Sequence, residues 1–236
     1  MERQRIEKLK NEFIATVSHE LRTPLTTISG VLKLAVSGTT GVLPAQTGEL
    51  LGIALRNSQR LGVLINDLLD MEKLVLGQFD FFITPQPLNI LLESAIHENQ
   101  AYAEQYQVEL ICTGAASKRK ISVDIVRFQQ VMANLLSNAA KFSEKGGKVR
   151  LFCDETESSV KINVQDTGCG VPESFRHRIF DKFSQADASD RRIKGGTGLG
   201  LSISKALTEY MGGEIGFTSL EGRGSTFFLQ FPWTEE

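Results

Sequence analysis

The chain has 236 residues, 41% hydrophobic and 23% charged, with a formal net charge of -2. That suits one large globular domain or two small ones and offers no basic surface for nucleic acid. No run approaches the ~18 apolar residues of a membrane span, and no signal peptide opens the chain. The expected setting is therefore the cytoplasm, or the cytoplasmic portion of a longer sensor whose other parts sit in a membrane. Cys112, Cys153 and Cys169 lack metal-ligand spacing and read as reduced thiols.

The first third reads as helical. Ile6, Leu9 and Phe13 are spaced three and four apart, and Leu21, Leu25, Ile28 and Leu32 continue an inward stripe. Turn formers from Ser37 to Pro44 should reverse the chain. A second helix is expected from about 45 to 76, with Leu61, Leu64, Leu68, Met71 and Val75 in a heptad seam. Two antiparallel helices with one stripe each bury them poorly alone. A homodimer closing a four-helix bundle is the expected solution, and packing of the stripes on the C-terminal half is the alternative.

Gly77 should end the second helix, and a β-rich run, Phe79 to Ile83, follows. A boundary near Gln78 gives expected domains of 1–77 and 78–236. Helices are expected at about 87–106, 124–142 and 199–212. Strands are expected at about 108–113, 147–154, 159–165, 214–219 and 224–231. The fold class is thus α+β: a helical hairpin, then a sheet with helices on one face.

Ser18-His19-Glu20-Leu21-Arg22-Thr23-Pro24-Leu25 places a histidine beside a carboxylate on the first helix. At roughly 100° per residue, His19 falls about 150° from the stripe's centre, which points it to solvent. Glu20 can hold one ring nitrogen and leave the other as a nucleophile. Pro24 lacks an N–H and crowds the carbonyl of Glu20, so the turn carrying His19 should be bent or loosened. His97 and His177 have no such context and read as surface residues.

Asn134, Asn138 and Lys141 are four and three apart and share a helix face. An amide oxygen suits Mg²⁺, and a lysine suits phosphate. Asp166-Thr167-Gly168-Cys169-Gly170 follows an apolar strand. Its glycines permit close approach to a flat ligand, and an Asp can accept from the adenine amino group, favouring ATP over GTP. Gly195-Gly196-Thr197-Gly198-Leu199-Gly200-Leu201 leads into a helix whose N–H groups can bind phosphate. It has neither the Lys-Ser/Thr ending of a P-loop nor the βαβ context of a dinucleotide fold. Ser184 to Lys194 should form a mobile lid. Phe180 and Phe183 read as core at the lid's base, with Arg178 and Lys182 available to phosphates.

Taken in order, the histidine box, the asparagine box, the first glycine box, the phenylalanine box and the second glycine box resemble the transmitter core of two-component sensor histidine kinases. The likeness extends across nearly the whole chain. It implies a dimeric phospho-acceptor hairpin and a Bergerat-type ATP-binding domain shared with certain chaperones and topoisomerases. By motif match, His19 would be phosphorylated, with Glu20 as acid/base. Asn138 would hold Mg²⁺, with Asn134, Lys141, Arg178 and Lys182 near the phosphates. Asp166 would take the adenine amino group beside Gly168 and Gly170. Gly196, Thr197, Gly198, Leu199 and Gly200 would line the phosphate edge, and Thr226 is counted with the ATP-binding residues. The implied partner is the receiver domain of a response regulator. Glu20 and Thr23 also match the pattern that lets some members dephosphorylate that regulator. Two other readings remain open from the sequence: an ATP-driven clamp of the same pocket family, and a dimerisation scaffold without catalysis.

Overall fold

The computed structural model describes residues 2–39, 41, 43–77, 79–113, 118–185 and 196–234. The chain divides into two compact units, Met1–Phe79 and Asp80–Glu236.

The first unit is a helical hairpin of α1 (Glu2–Val36) and α2 (Ala45–Val75). Polar pairs fix its register. Arg22 donates to Asn66 Oδ1 through Nη2 at 3.0 Å and Nε at 3.3 Å. The hydroxyls of Ser29 and Ser58 meet at 2.6 Å. Between them Leu25 packs over Gly62, where an added Cβ would stand 3.6 Å from Leu25 Cδ2. α1 continues through Pro24 as one helix. Gly77 adopts a φ of +62° just past α2, at the position where helices commonly terminate on glycine.

The seam of α1 differs from the expected stripe. Leu25, Ser29, Leu32 and Ala35 are half-buried, whereas Leu21 and Ile28 are 47% and 51% exposed. The seam of α1 alternates Leu25 and Leu32 with the small residues Ser29 and Ala35, and leaves Leu21, Ile28, Val31 and Leu34 off it. In the expected heptad of α2, Met71 is buried, but Leu61 and Leu68 are 48% and 47% exposed. The side chain of Val75 lies outside the described residues.

The second unit contains β1 (Thr84–Pro87), α3 (Leu88–Gln105), β2 (Glu109–Thr113), β3 (Lys120–Val123), α4 (Ile125–Phe142), β4 (Lys148–Glu155), β5 (Ser159–Gln165), α5 (Glu173–Arg176), α6 (Gly200–Tyr210), β6 (Glu214–Leu220) and β7 (Gly224–Pro232). The main sheet has five strands in the order β2-β4-β5-β7-β6. β2 pairs with β4 in parallel and the other neighbours are antiparallel. Along β5, Val160, Ile162 and Val164 are buried at alternate positions. Their partners across β7, Phe231, Leu229 and Phe227, are buried too. This alternation marks the face covered by helices. α4 meets it with Phe128, Val131, Met132, Leu135, Leu136, Ala139 and Ala140, a stripe at three- and four-residue spacing.

The five main strands and three long helices of this unit lie within two residues of their expected bounds. Two features depart. The run from Phe79 to Ile83 is not a strand; the strand is Thr84–Pro87, which contains both prolines, paired with an unforeseen β3. Leu88 N donates to Arg119 O, so Gln86 and Thr84 share its orientation while Pro85 and Pro87 point away from β3. Prolines are tolerated there because those positions need no donor.

Candidate functional site

α4 begins where Asp124 caps it. Its Oδ1 accepts from Arg127 N at 3.1 Å and its Oδ2 from Phe82 N at 2.9 Å. Because the core stripe turns Leu135, Leu136 and Ala139 inward, Asn134, Asn138 and Lys141 emerge together on the helix's half-buried flank. Asn138 Nδ2 donates to Asn134 Oδ1 at 3.2 Å, and Asn134 Nδ2 donates to Ser204 Oγ on α6 at 2.9 Å. The start of α6 lies against this flank. A Cβ on Gly200 would meet Asn134 Oδ1 at 2.4 Å, and one on Gly196 would meet Lys141 Nζ at 3.4 Å. Any side chain at position 200 would push into the asparagine pair.

Gly198 has a φ of +73°, and its added Cβ would lie 2.8 Å from the Phe183 carbonyl carbon. This turn stacks the second glycine box on the phenylalanine box. Thr197 Oγ1 accepts from Leu199 N at 3.1 Å, and Leu199 is buried. Gln185 Nε2 donates to Gly196 O at 3.0 Å, tying the end of the phenylalanine box segment to this loop. The rest of the expected lid, residues 186–194, lies outside the described residues.

Asp166 follows β5 directly and is 6% exposed. Its Oδ1 accepts from Gly168 N at 2.8 Å and from Ser225 N at 3.2 Å. Both bonds hold the same oxygen, so the second oxygen is the one able to take a donor from a ligand. Burial raises the carboxyl's pKa above its ordinary value, and the two N–H donors partly offset that rise. Gly168 is obligatory here, because a Cβ would stand 2.3 Å from Phe142 O. That contact places the Asp166 loop beside the end of α4, one residue from Lys141. The asparagine flank, the second glycine loop and Asp166 thus converge around one helix.

One expected residue sits differently. Phe183 is not core: its ring is 64% exposed and its backbone has a φ of +60°. The left-handed backbone against Gly198 turns the side chain outward, while Phe180 contacts Phe217 edge-on at 6.0 Å. Arg178 forms an exposed pair with Asp181 at 3.9 Å, and Lys182 is exposed beside Phe183. Thr226 pairs with Gln165 and Thr218 on the face of the sheet away from the helices, where it lines an open groove of about 290 Å³. Asp166 and Ser225 line the same groove, and the backbone N–H of Ser225 is the group that donates to Asp166.

The sequence reading also missed Ser219. Its hydroxyl accepts from Val171 N at 2.8 Å and lies 2.9 Å from Ser225 Oγ. Its carbonyl accepts from Arg176 Nη2 at 2.7 Å. Together these straps hold the first glycine box against the β6–β7 turn. Only a serine-rich strand end signalled them in the sequence.

On the hairpin, His19 lies within α1, but its side chain, and with it the expected outward orientation, falls outside the described residues. Glu20 and Thr23, one turn apart, both have exposed side chains. His97 and His177 are exposed, as expected.

Residues 123–235 match the family described as Histidine kinase-, DNA gyrase B-, and HSP90-like ATPase. Residues 9–77 match the His Kinase A (phospho-acceptor) domain. The chain belongs to the protein-histidine kinase family. Sensor protein SrrB of Staphylococcus aureus is 34% identical over 230 residues, covering 98% of this chain and 39% of that protein. The circadian input-output histidine kinase CikA of Synechococcus elongatus is 37% identical over 225 residues, covering 94% of this chain and 30% of that protein. The chain therefore spans well under half the length of these relatives. Among solved structures, full-length ShkA in complex with AMPPNP matches with a TM-score of 0.75 and 30% identity, over 95% of this chain and 46% of that one.

The described residues fit both parts of a magnesium–nucleotide complex. Asn138 commits its amide nitrogen to Asn134, which leaves the oxygen as its ligand end. A single neutral oxygen suits Mg²⁺, a cation that keeps several waters and takes its other ligands from phosphates. None of the described helices is long and apolar enough to cross a membrane.

Proposed function

We propose that the chain is the ATP-dependent transmitter core of a two-component sensor. In this reading residues 1–77 are the phospho-acceptor and dimerisation domain, and residues 78–236 bind ATP. The observation that carries it is the convergence of Asn134, Asn138, Lys141 and Gly200 beside Asp166, in a chain whose first helix bears His19 next to Glu20.

Asp166 takes the adenine amino group on its second carboxylate oxygen, which selects adenine over guanine. Lys141 neutralises phosphate charge from the asparagine flank, and the N–H groups at the start of α6 face the same region. Arg178 and Lys182 stand on exposed chain, from which they can reach the phosphates. Mg²⁺ held by Asn138 would supply charge neutralisation on the triphosphate. The imidazole nitrogen of His19 attacks the γ-phosphorus while the bond to the bridging oxygen breaks, and ADP departs. Glu20 accepts the proton that the ring releases. The phosphoryl group then passes from the phosphoramidate to an aspartate of a response regulator. Glu20 and Thr23, exposed one turn apart beside the phospho-acceptor, suit the reverse task of aligning water on the phosphorylated regulator.

The exposed apolar residues of the hairpin support a homodimer through a four-helix bundle. The setting proposed is the cytoplasmic side of the cell, as part of a longer protein.

Incubation with γ-labelled ATP tests the reading. The chain should acquire acid-labile, base-stable label. His19→Gln should bind ATP yet take up none, and Asn138→Ala should label at least about 100-fold more slowly. Undiminished labelling of either variant would overturn the corresponding assignment.

A further inference from the structure

Cys112 and Cys153 are far apart in the sequence, but the sheet register makes them neighbours. β2 and β4 run in parallel with Cys112 opposite Leu151. Cys153 is two residues further along β4, and residues two apart on a strand share a face. The two thiols are therefore diagonal neighbours on the helix-covered face, where Cys153 pairs across to buried Ile162. Cys112 is exposed and Cys153 is half-buried behind it. Both are reduced thiols in the structure, and Cys169 lies apart in the loop after β5.

We propose that Cys112 and Cys153 form a modification site, a dithiol that hydroperoxides or small disulfides oxidise to an intramolecular disulfide. With a hydroperoxide, the Cys112 thiolate attacks the peroxide oxygen, the O–O bond breaks, and a sulfenic acid forms as the alcohol or water leaves. The Cys153 thiolate then attacks that sulfur, the S–S bond forms, and hydroxide departs to take up a proton as water. Two electrons pass from the sulfurs to the peroxide. With a small disulfide, Cys112 forms the mixed disulfide and Cys153 displaces the second thiol.

Diagonal neighbours in a sheet lie roughly 7–8 Å apart at Cα, whereas a disulfide spans up to about 6.8 Å. Closure therefore requires β2 to slide by about an ångström. β2 can do so because, among the described strands, it is the outermost and is paired with β4 alone. The site also has a defined pH response. Burial raises the pKa of both thiols, Cys153 to about 12. The charges facing them oppose ionisation further: Glu93 of α3 at Cys112, and Cys112 with Glu155 and Asp154 of β4 at Cys153. Oxidation should thus keep accelerating as pH rises past 9, where an ordinary thiol of pKa ~8.5 levels off. The bridge would close a loop containing all of α4, including Asn134, Asn138 and Lys141, and should raise the melting temperature of the ATP-binding unit by several degrees.

The experiment is peptide mapping of the whole chain under non-reducing conditions after exposure to hydrogen peroxide or oxidised glutathione. A peptide pair joining Cys112 to Cys153, lost on reduction, is expected. It should persist in Cys169→Ser and be absent from Cys112→Ser and Cys153→Ser. Reactive thiols in the denatured chain should fall to Cys169 alone. Pairing through Cys169, bridges only between chains, or over-oxidation of Cys112 with Cys153 still a thiol would each overturn the proposal. Mapping on the unmutated chain keeps the test decisive even if a serine variant folds poorly.

Discussion

In the ATP-binding unit, Phe128, Leu135, Leu151, Ile162, Leu207 and Phe231 are no more than 1% exposed. In the hairpin, Val31, Leu34, Leu50 and Val63 are 54–62% exposed. The sheet with its helices on one face closes a continuous apolar core, although Phe82, Ile90 and Val126 at its surface stay more than half exposed. The hairpin instead uses polar pairs, Arg22 with Asn66 and Ser29 with Ser58, to fix how its two helices meet, and leaves much of its apolar surface outward. The nucleotide site thus rests on a scaffold with its own closed core, while the hairpin leaves open the apolar surface that the proposed homodimer would cover.

The strongest way to break this comparison is to put a charge on the hairpin's outer apolar surface. Leu34→Lys should weaken self-association by at least about 100-fold, since an unpaired charge would be trapped in the bundle. ATP affinity should stay within about twofold. Analytical ultracentrifugation and calorimetry read the two effects; a dimer that tolerates the lysine would place the interface elsewhere.

Asp166→Asn comes next. It removes a charge-assisted hydrogen bond to adenine and should raise the Kd for ATP by roughly 10–100-fold without changing the oligomer. The pH dependence has two opposite signs. Burial raises the Asp166 pKa, so the group's contribution to folding stability is largest at low pH and is lost as pH rises through the folded pKa. ATP needs the ionised carboxylate, so affinity should fall on acidification, starting above the usual carboxylate range, and should not fall in this way for Asp166→Asn.

Gly168→Ala sharpens the comparison with a smaller effect. Its Cβ would collide with the Phe142 carbonyl, at a cost of about 1–3 kcal/mol. That should lower the melting temperature of this unit by several degrees while self-association persists. An unchanged melting curve would show that the Asp166 loop is not pinned to the end of α4.

Most of the element order was legible because amphipathic periods are local. The stripe from Phe128 to Ala140 defines α4 and thereby places Asn134, Asn138 and Lys141 on one flank. What was not legible depended on partners distant in sequence. Asp166 is held by the backbone N–H of Ser225, a partner supplied only by the register of β7 on β5. Phe183 reads as core by composition, yet its contact with Gly198 turns it out. Leu21 and Ile28 belong to an apolar stripe, but the seam with α2 runs through Leu25, Ser29, Leu32 and Ala35 and leaves them outside it. The neighbourhood of Cys112 and Cys153 exists only in the register of β2 on β4.

The central claim is that the triphosphate held beside Asn138 is spent on His19. Mapping the phosphorylated residue in the chain after reaction with γ-labelled ATP tests it most directly. The account predicts a phosphoramidate on His19 alone, absent when Asn138 is replaced by alanine. Label on another residue, or steady phosphate release with none on the protein, would contradict it.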